Sequence, residues 1–115
     1  MSTKAALWLR ISSGAQDTEN QRLALEAFAA RRGWEIAQVC QVQESAWKGA
    51  QQKALSQLYQ DARLRCFQVL LTWALDRLSR EGPQASLEIV NRFSKAGVQA
   101  ISLQEPWTEV GGGEC

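Results

Sequence analysis

Leu7-Trp8-Leu9-Arg10-Ile11-Ser12-Ser13 is an apolar run that ends in an arginine and two serines. Side chains alternate faces along a strand, so Arg10 and Ser12 leave the backbone on the same side. A cation beside a hydroxyl at a strand's exit suits an anionic substrate. A second cluster, Asp76-Arg77-Leu78-Ser79-Arg80, follows another apolar run, Phe67–Leu75. If both runs are strands of one sheet and lie side by side, the two clusters form one site.

The rest of the chain supplies that sheet. Ala5–Ile11 is almost wholly apolar, as expected of a strand covered on both faces. Residues 12–16 read as a loop, after which Thr18 and Gln21 fit a capping box and Asp17 and Glu19 suit a helix N-terminus. That helix is expected to bury Leu25, Phe28 and Ala29, to end near Arg31 and Arg32, and to stop at Gly33. Trp34–Val42 reads as a second strand and Gln43–Gln52 as a polar loop. Leu55, Leu58, Tyr59 and Ala62 then recur on one helical face. After the second cluster, Gly82-Pro83 opens a third helix whose stripe is Ala85, Ile89, Phe93 and Ala96. Gly97 ends it, and Val98–Leu103 is a fourth strand. Gln104–Cys115 reads as a tail, with Gly111-Gly112-Gly113 too flexible for a core.

Strand and helix alternate throughout. This predicts an α/β fold of three layers, with helices on both faces of a mainly parallel sheet of about four strands. In the order 2-1-3-4, strands one and three are neighbours. Sites in such sheets form beyond the carboxyl ends of the strands, which places Arg10 and Ser12 beside Asp76, Arg77 and Arg80.

Composition narrows the chemistry. The 115 residues are 45% hydrophobic and 22% charged, which fits one soluble globular domain. Such a chain buries roughly 65% of the surface it exposes unfolded. No run reaches transmembrane length, and no signal-peptide pattern opens the chain. Cys40, Cys66 and Cys115 are an odd number at irregular spacing, as expected of free thiols in a reducing cytoplasm. Histidine is absent, which removes Ser-His-Asp, Cys-His and histidine metal sites; no metal or small-molecule cofactor is expected. A net charge of +1 provides no global attraction to a polyanion, so any anion site is local.

A serine, an acid and three arginines without histidine point to phosphoryl transfer, with the hydroxyl as nucleophile and guanidinium forks on the phosphate oxygens. Each residue also has a plainer reading. Ser12 fits a turn, Asp76 an N-cap, and Arg77 and Arg80 a solvated helix start. Cations oppose the dipole at a helix N-terminus, however, so the arginines need another reason to be there.

Trp8-Leu9-Arg10-Ile11-Ser12, Gln16, Gln21 and Leu75-Asp76-Arg77-Leu78-Ser79-Arg80 resemble the catalytic domain of serine recombinases, the resolvase/invertase family. The resemblance runs from about residue 5 to 109 and includes Gly97-Val98 and Ser102-Leu103-Gln104-Glu105. It implies a resolvase-like domain over 1–109 and a flexible tail over 110–115. It implies that Ser12 attacks a DNA phosphodiester, leaving a 5′-phosphoserine and a free 3′-hydroxyl, and that rejoining reverses the step without metal or nucleotide. Arg10, Arg77 and Arg80 match the family's active-site arginines, Asp76 the acid that orients them, and Gln16 a polar residue near the serine. Gln21, Ser13 and Lys53 are supporting candidates. The implied partners are DNA and, in a full-length protein, further copies in a dimer or tetramer; a membrane is not among them.

Three features depart from the family pattern. Tyrosine is usual where Trp8 stands, a change that mainly concerns packing. The loop before the second helix normally reads Arg-Pro-x-Leu, but here it is Gln52-Lys53-Ala54-Leu55. Lys53 or Lys48 could stand in, although a lysine lacks the bidentate fork. Glu44-Ser45 falls near a family acidic position. Finally, the long pairing helix and DNA-binding domain that follow in family members are not expected within 110–115. Two readings follow: a recombinase acting through Ser12, and a truncated or degenerate domain that binds DNA or a partner without catalysis. A receiver or nucleotide-binding domain fits less well, because strand one ends in no acidic pair and its loop has a single glycine.

Overall fold

The computed structural model describes residues 3–11, 15–43, 47–79 and 81–105, the side chains of 11, 15–18, 47, 48 and 50 excepted. Four strands, β1 (Lys4–Ile11), β2 (Glu35–Gln43), β3 (Val69–Thr72) and β4 (Gln99–Ser102), form one sheet in the order β2-β1-β3-β4. All three pairings are parallel, with Leu7 beside Val39 on one side and Leu71 on the other. Helices α1 (Ala15–Arg32), α2 (Trp47–Arg63) and α3 (Pro83–Lys95) connect them. This is the three-layer α/β/α arrangement expected from the alternation of elements.

β1 is the central strand, and Ala5 through Leu9 are fully buried. Its alternation divides the core in two. Ala5, Leu7 and Leu9 pack with Leu25 and Ala29 of α1. Ala6 and Trp8 pack on the opposite face with Leu55, Leu58 and Tyr59 of α2 and Phe93 of α3. Burying one such large apolar side chain stabilises the fold by about 1.5–3 kcal/mol. Arg10 has the parity of Trp8, so it leaves β1 towards α2 and α3. Among the described residues no helix is long and apolar enough to cross a membrane.

Each helix ends in a residue with left-handed backbone: Gly33 (φ 74°), Arg65 (φ 62°) and Gly97 (φ 87°). At each end an amide bonds back five residues, Trp34 to Ala29, Cys66 to Asp61 and Val98 to Phe93, all at 2.9 Å. This caps the last turn. Arg65 therefore holds a conformation that glycine adopts without steric cost.

The structure corrects several sequence expectations. α1 begins at Ala15, so Thr18 lies inside the helix and is not its cap; Gln21, in phase with Leu25 and Ala29, is buried on the α1 face. α2 begins at Trp47, so residues 47–52 are helical rather than loop; Gly49 is tolerated in an exposed position. β3 stops at Thr72, and Leu75–Arg77 form a 3₁₀ turn instead of extending the strand. Gly82, not Asp76, occupies the N-cap of α3, with Pro83 opening the helix as expected. Gln104 and Glu105 belong to the fold and not to a tail. The Gln104 amide bonds the Trp73 carbonyl at 3.0 Å, and Glu105 accepts from the Leu75 amide at 3.1 Å and from the Ser102 hydroxyl. The tail over 110–115 lies outside the described residues.

Candidate active site

The turn at the carboxyl end of β3 is held by its backbone. Four consecutive carbonyls each accept a side-chain hydrogen bond: Leu75 from Ser86 Oγ (2.6 Å), Asp76 from Arg10 Nη1 (3.1 Å), Arg77 from Trp8 Nε1 (2.7 Å) and Leu78 from Gln51 Nε2 (2.7 Å). These donors come from α3, from two same-face positions of β1, and from α2. The Leu75 amide is held by Glu105 just beyond β4. A short turn with few internal bonds is thus fixed from every neighbouring element. Each buried donor needs an acceptor, and the turn's carbonyls supply them.

This geometry brings Arg10 to the Asp76–Arg77 turn, as the 2-1-3-4 order requires. Arg10 and Arg77 are both half-buried at the sheet's carboxyl edge. Arg77 Nε is buried and meets no acceptor among the described residues. A buried guanidinium nitrogen of this kind is costly unless an acceptor reaches it, and a phosphate oxygen has the right chemistry. Asp76 is exposed, and it is its carbonyl, not its carboxylate, that meets Arg10. Among the described residues its carboxylate orients no arginine.

The other candidates divide as follows. Ser12, Ser13 and Arg80 lie outside the described residues, as does Glu44-Ser45. Gln16 falls in the first turn of α1. Gln21 is buried. Lys53 is exposed on α2, about 200° around the helix from the buried Gln51. Gln52 instead lines a groove of ≈ 460 Å³ between α2 and α3, together with Gln51, Ser79, Glu81 and Arg92. Arg10, Asp76 and Arg77 are not among its lining residues. Among the described residues no three His, Cys, Asp or Glu side chains gather as a metal site would require.

Three positions escaped the sequence reading. Gln51, Ser86 and Glu105 read as loop, helix and tail in the sequence, yet each bonds the backbone of residues 75–78. The departure at Trp8 concerns more than packing, because its indole N–H also donates to the Arg77 carbonyl. Gln51 and Ser86 carried a signal, since each is in phase with the apolar stripe of its helix. Glu105 falls in the Ser102-Leu103-Gln104-Glu105 stretch of the family resemblance, but no helix or strand period marks it.

Comparison with known proteins now places the chain. A family model described as "Resolvase, N terminal domain" matches residues 5–113. The chain belongs to that family and is a serine recombinase catalytic domain. It is similar to the N-terminal catalytic domain of TP901-1 integrase (28% identity, 90% of this chain and 79% of that one, TM-score 0.74). It is also similar to the C-terminal catalytic domain of ISC1926 TnpA, an IS607-like serine recombinase (27% identity, 94% and 75% covered, TM-score 0.72). A resolvase-family site-specific recombinase from Streptococcus pneumoniae shares the fold at 18% identity (91% and 74% covered, TM-score 0.71). A search of curated proteins gave no significant match.

Proposed function

We propose that this domain cuts and rejoins DNA phosphodiesters through Ser12. The Ser12 hydroxyl oxygen attacks phosphorus as the bond to the 3′-oxygen breaks. The hydroxyl proton leaves, the 3′-oxygen gains one, and a 5′-phosphoserine remains. Attack by a 3′-hydroxyl on that ester reverses the step, so no co-reactant is consumed. Arg10, Arg77 and Arg80 neutralise charge on the phosphate oxygens, with Gln16 near the serine and DNA and further copies of the protein as partners. The observation that supports this most directly is the bonding of Trp8 and Arg10, both on β1, to the Asp76–Arg77 backbone. It fixes an arginine from each cluster beside the end of the strand from which Ser12 follows.

A second reading, a domain that keeps the fold without catalysis, is favoured by Gln52 at the usual arginine position. Covalent trapping of a nicked duplex, followed on denaturing gels, tests the two readings. An adduct that disappears in Ser12→Ala supports the recombinase. Binding to DNA without an adduct supports the second reading.

A further inference from the structure

We propose that Gln51 is a positioning residue for the recombination chemistry, acting through the Leu78 carbonyl; this rests on the reading of Ser12 and the arginines just given. Gln51 is buried on α2's inward face, 8% exposed, and its Nε2 lies 2.7 Å from the Leu78 oxygen, 27 residues away. The other three carbonyl bonds fix Leu75, Asp76 and Arg77, at the strand end of the turn. Gln51 alone among these donors holds the end that leads into Ser79 and Arg80. Past that point, among the described residues, the local constraint is the Glu81 amide on Ser79 Oγ, at 3.1 Å.

The same bond ties two parts of the site to each other. Gln52, at the position of the family's remaining arginine, is the next residue on α2 and shares the groove with Ser79. The Gln51 amide therefore sets how far the start of α2 stands from the arginine-bearing turn. No other described side chain of α2 bonds that turn. A donor is essential in this role, because the Leu78 carbonyl can only accept. Removing the donor frees the turn to shift, and displacement of a reacting group by about 1 Å costs on the order of 10²-fold in rate.

Two near-isosteric changes test this. Gln51→Met keeps the volume and removes the N–H. Gln51→Glu keeps the shape and can donate only while its carboxyl is protonated, a form that burial favours. The 115-residue chain and both variants are mixed with an excess of nicked duplex. Adduct formation is followed against DNA concentration from mildly acidic to mildly alkaline pH, with circular dichroism confirming the folded state. Gln51→Met is expected to lower the maximal rate by about 10- to 100-fold with the half-saturating DNA concentration unchanged. Gln51→Glu is expected to approach the wild-type rate as pH falls, while the Gln51→Met ratio to wild type stays flat. A Gln51→Met rate equal to wild type, or a Gln51→Glu defect independent of pH, overturns the positioning role. Should Gln51→Met not fold, the pH profile of Gln51→Glu decides alone. Absence of any wild-type adduct overturns the Ser12 reading itself, and the positioning role with it.

Discussion

The indole Nε1 of Trp8 donates to the Arg77 carbonyl across 2.7 Å, joining residues 69 positions apart in sequence. Trp8 is fully buried in an interior strand, so this bond fastens the arginine-bearing turn to the core of the sheet. Trp8→Phe preserves most of the packing but removes the donor. It is expected to cost about 2–3 kcal/mol, from the lost hydrogen bond and the cavity left behind. Urea denaturation of the two proteins checks this; a loss below about 0.5 kcal/mol, the level of an ordinary surface substitution, would mean that the bond carries little.

The nucleophile is assigned by comparing adjacent serines. With the domain in a full-length recombinase, Ser12→Ala is expected to abolish covalent attachment to DNA and Ser13→Ala to retain it. Neither change should lower stability by more than about 0.5 kcal/mol. The reverse pattern would mean that the register at the end of β1 is off by one, and retention in both would remove serine chemistry.

Gln52→Arg restores the missing fork on the helix face that borders the groove. One donor to a transition-state oxyanion is worth on the order of 10²–10³ in rate. Cleavage by Gln52→Arg in the same full-length context is expected to rise by a comparable factor. An unchanged rate would show that another cation already serves there.

Arg65 sits in the left-handed region (φ 62°) at the end of α2, where Gly33 and Gly97 close the other two helices. A side chain in that conformation costs roughly 1–2 kcal/mol, part of which glycine gives back through its freer unfolded chain. Arg65→Gly is expected to raise stability by about 0.5–1 kcal/mol, measured as a higher urea midpoint at unchanged slope. A lower midpoint would show that the Arg65 side chain contributes more than the strain removes.

The 115 residues, tested as they stand, are expected to bind duplex DNA weakly and without sequence preference. Net charge is only +1, and the arginines of the site can meet one or two phosphates. The logarithm of affinity should then fall with the logarithm of salt at a slope of about −1 to −2, with dissociation constants no tighter than about 10⁻⁶ M. Titrations of unrelated short duplexes at two salt concentrations check this. Sequence-selective binding a thousandfold tighter would overturn it.

The architecture was legible because it is written in periodicity. β1 reads as buried on both faces from its unbroken apolar run, and α2 and α3 read as one-sided from Leu55, Leu58 and Tyr59 and from Ile89 and Phe93. The errors arose where one spacing serves two purposes. Gln21 stands three after Thr18, which fits a capping box, and four before Leu25, which fits an inward helical face, and its burial decides for the second. Gly49 looked like loop because local propensity carries no knowledge of what packs nearby. The clamp around residues 75–78 was invisible for a related reason, since its bonds span 11 to 69 residues and obey no period. One regularity does survive in the sequence. Each helix carries a buried polar residue in phase with its inward apolar residues, Gln21, Gln51 and Ser86. A polar side chain one turn ahead of an apolar stripe marks the working edge of this sheet.

Because the turn is gripped by its carbonyls and anchored by the buried Leu75 and Leu78, its backbone is held without help from the Asp76 side chain. Every side-chain donor to its carbonyls belongs to another element, and the peptide groups of Asp76 and Arg77 accept those bonds whatever their side chains are. The side chains of Asp76 and Arg77 are therefore separable from the bonds that hold their backbone, whereas Arg10 serves both parts, holding the Asp76 carbonyl and belonging to the site. Asp76→Asn or Arg77→Lys replaces a functional group on an unaltered mount, so a change in reactivity can be read as chemistry rather than as collapse of the loop. The converse is the expectation for Trp8, Gln51 and Ser86, which hold the turn from buried positions: substitution there is expected to lower activity with every arginine still in place.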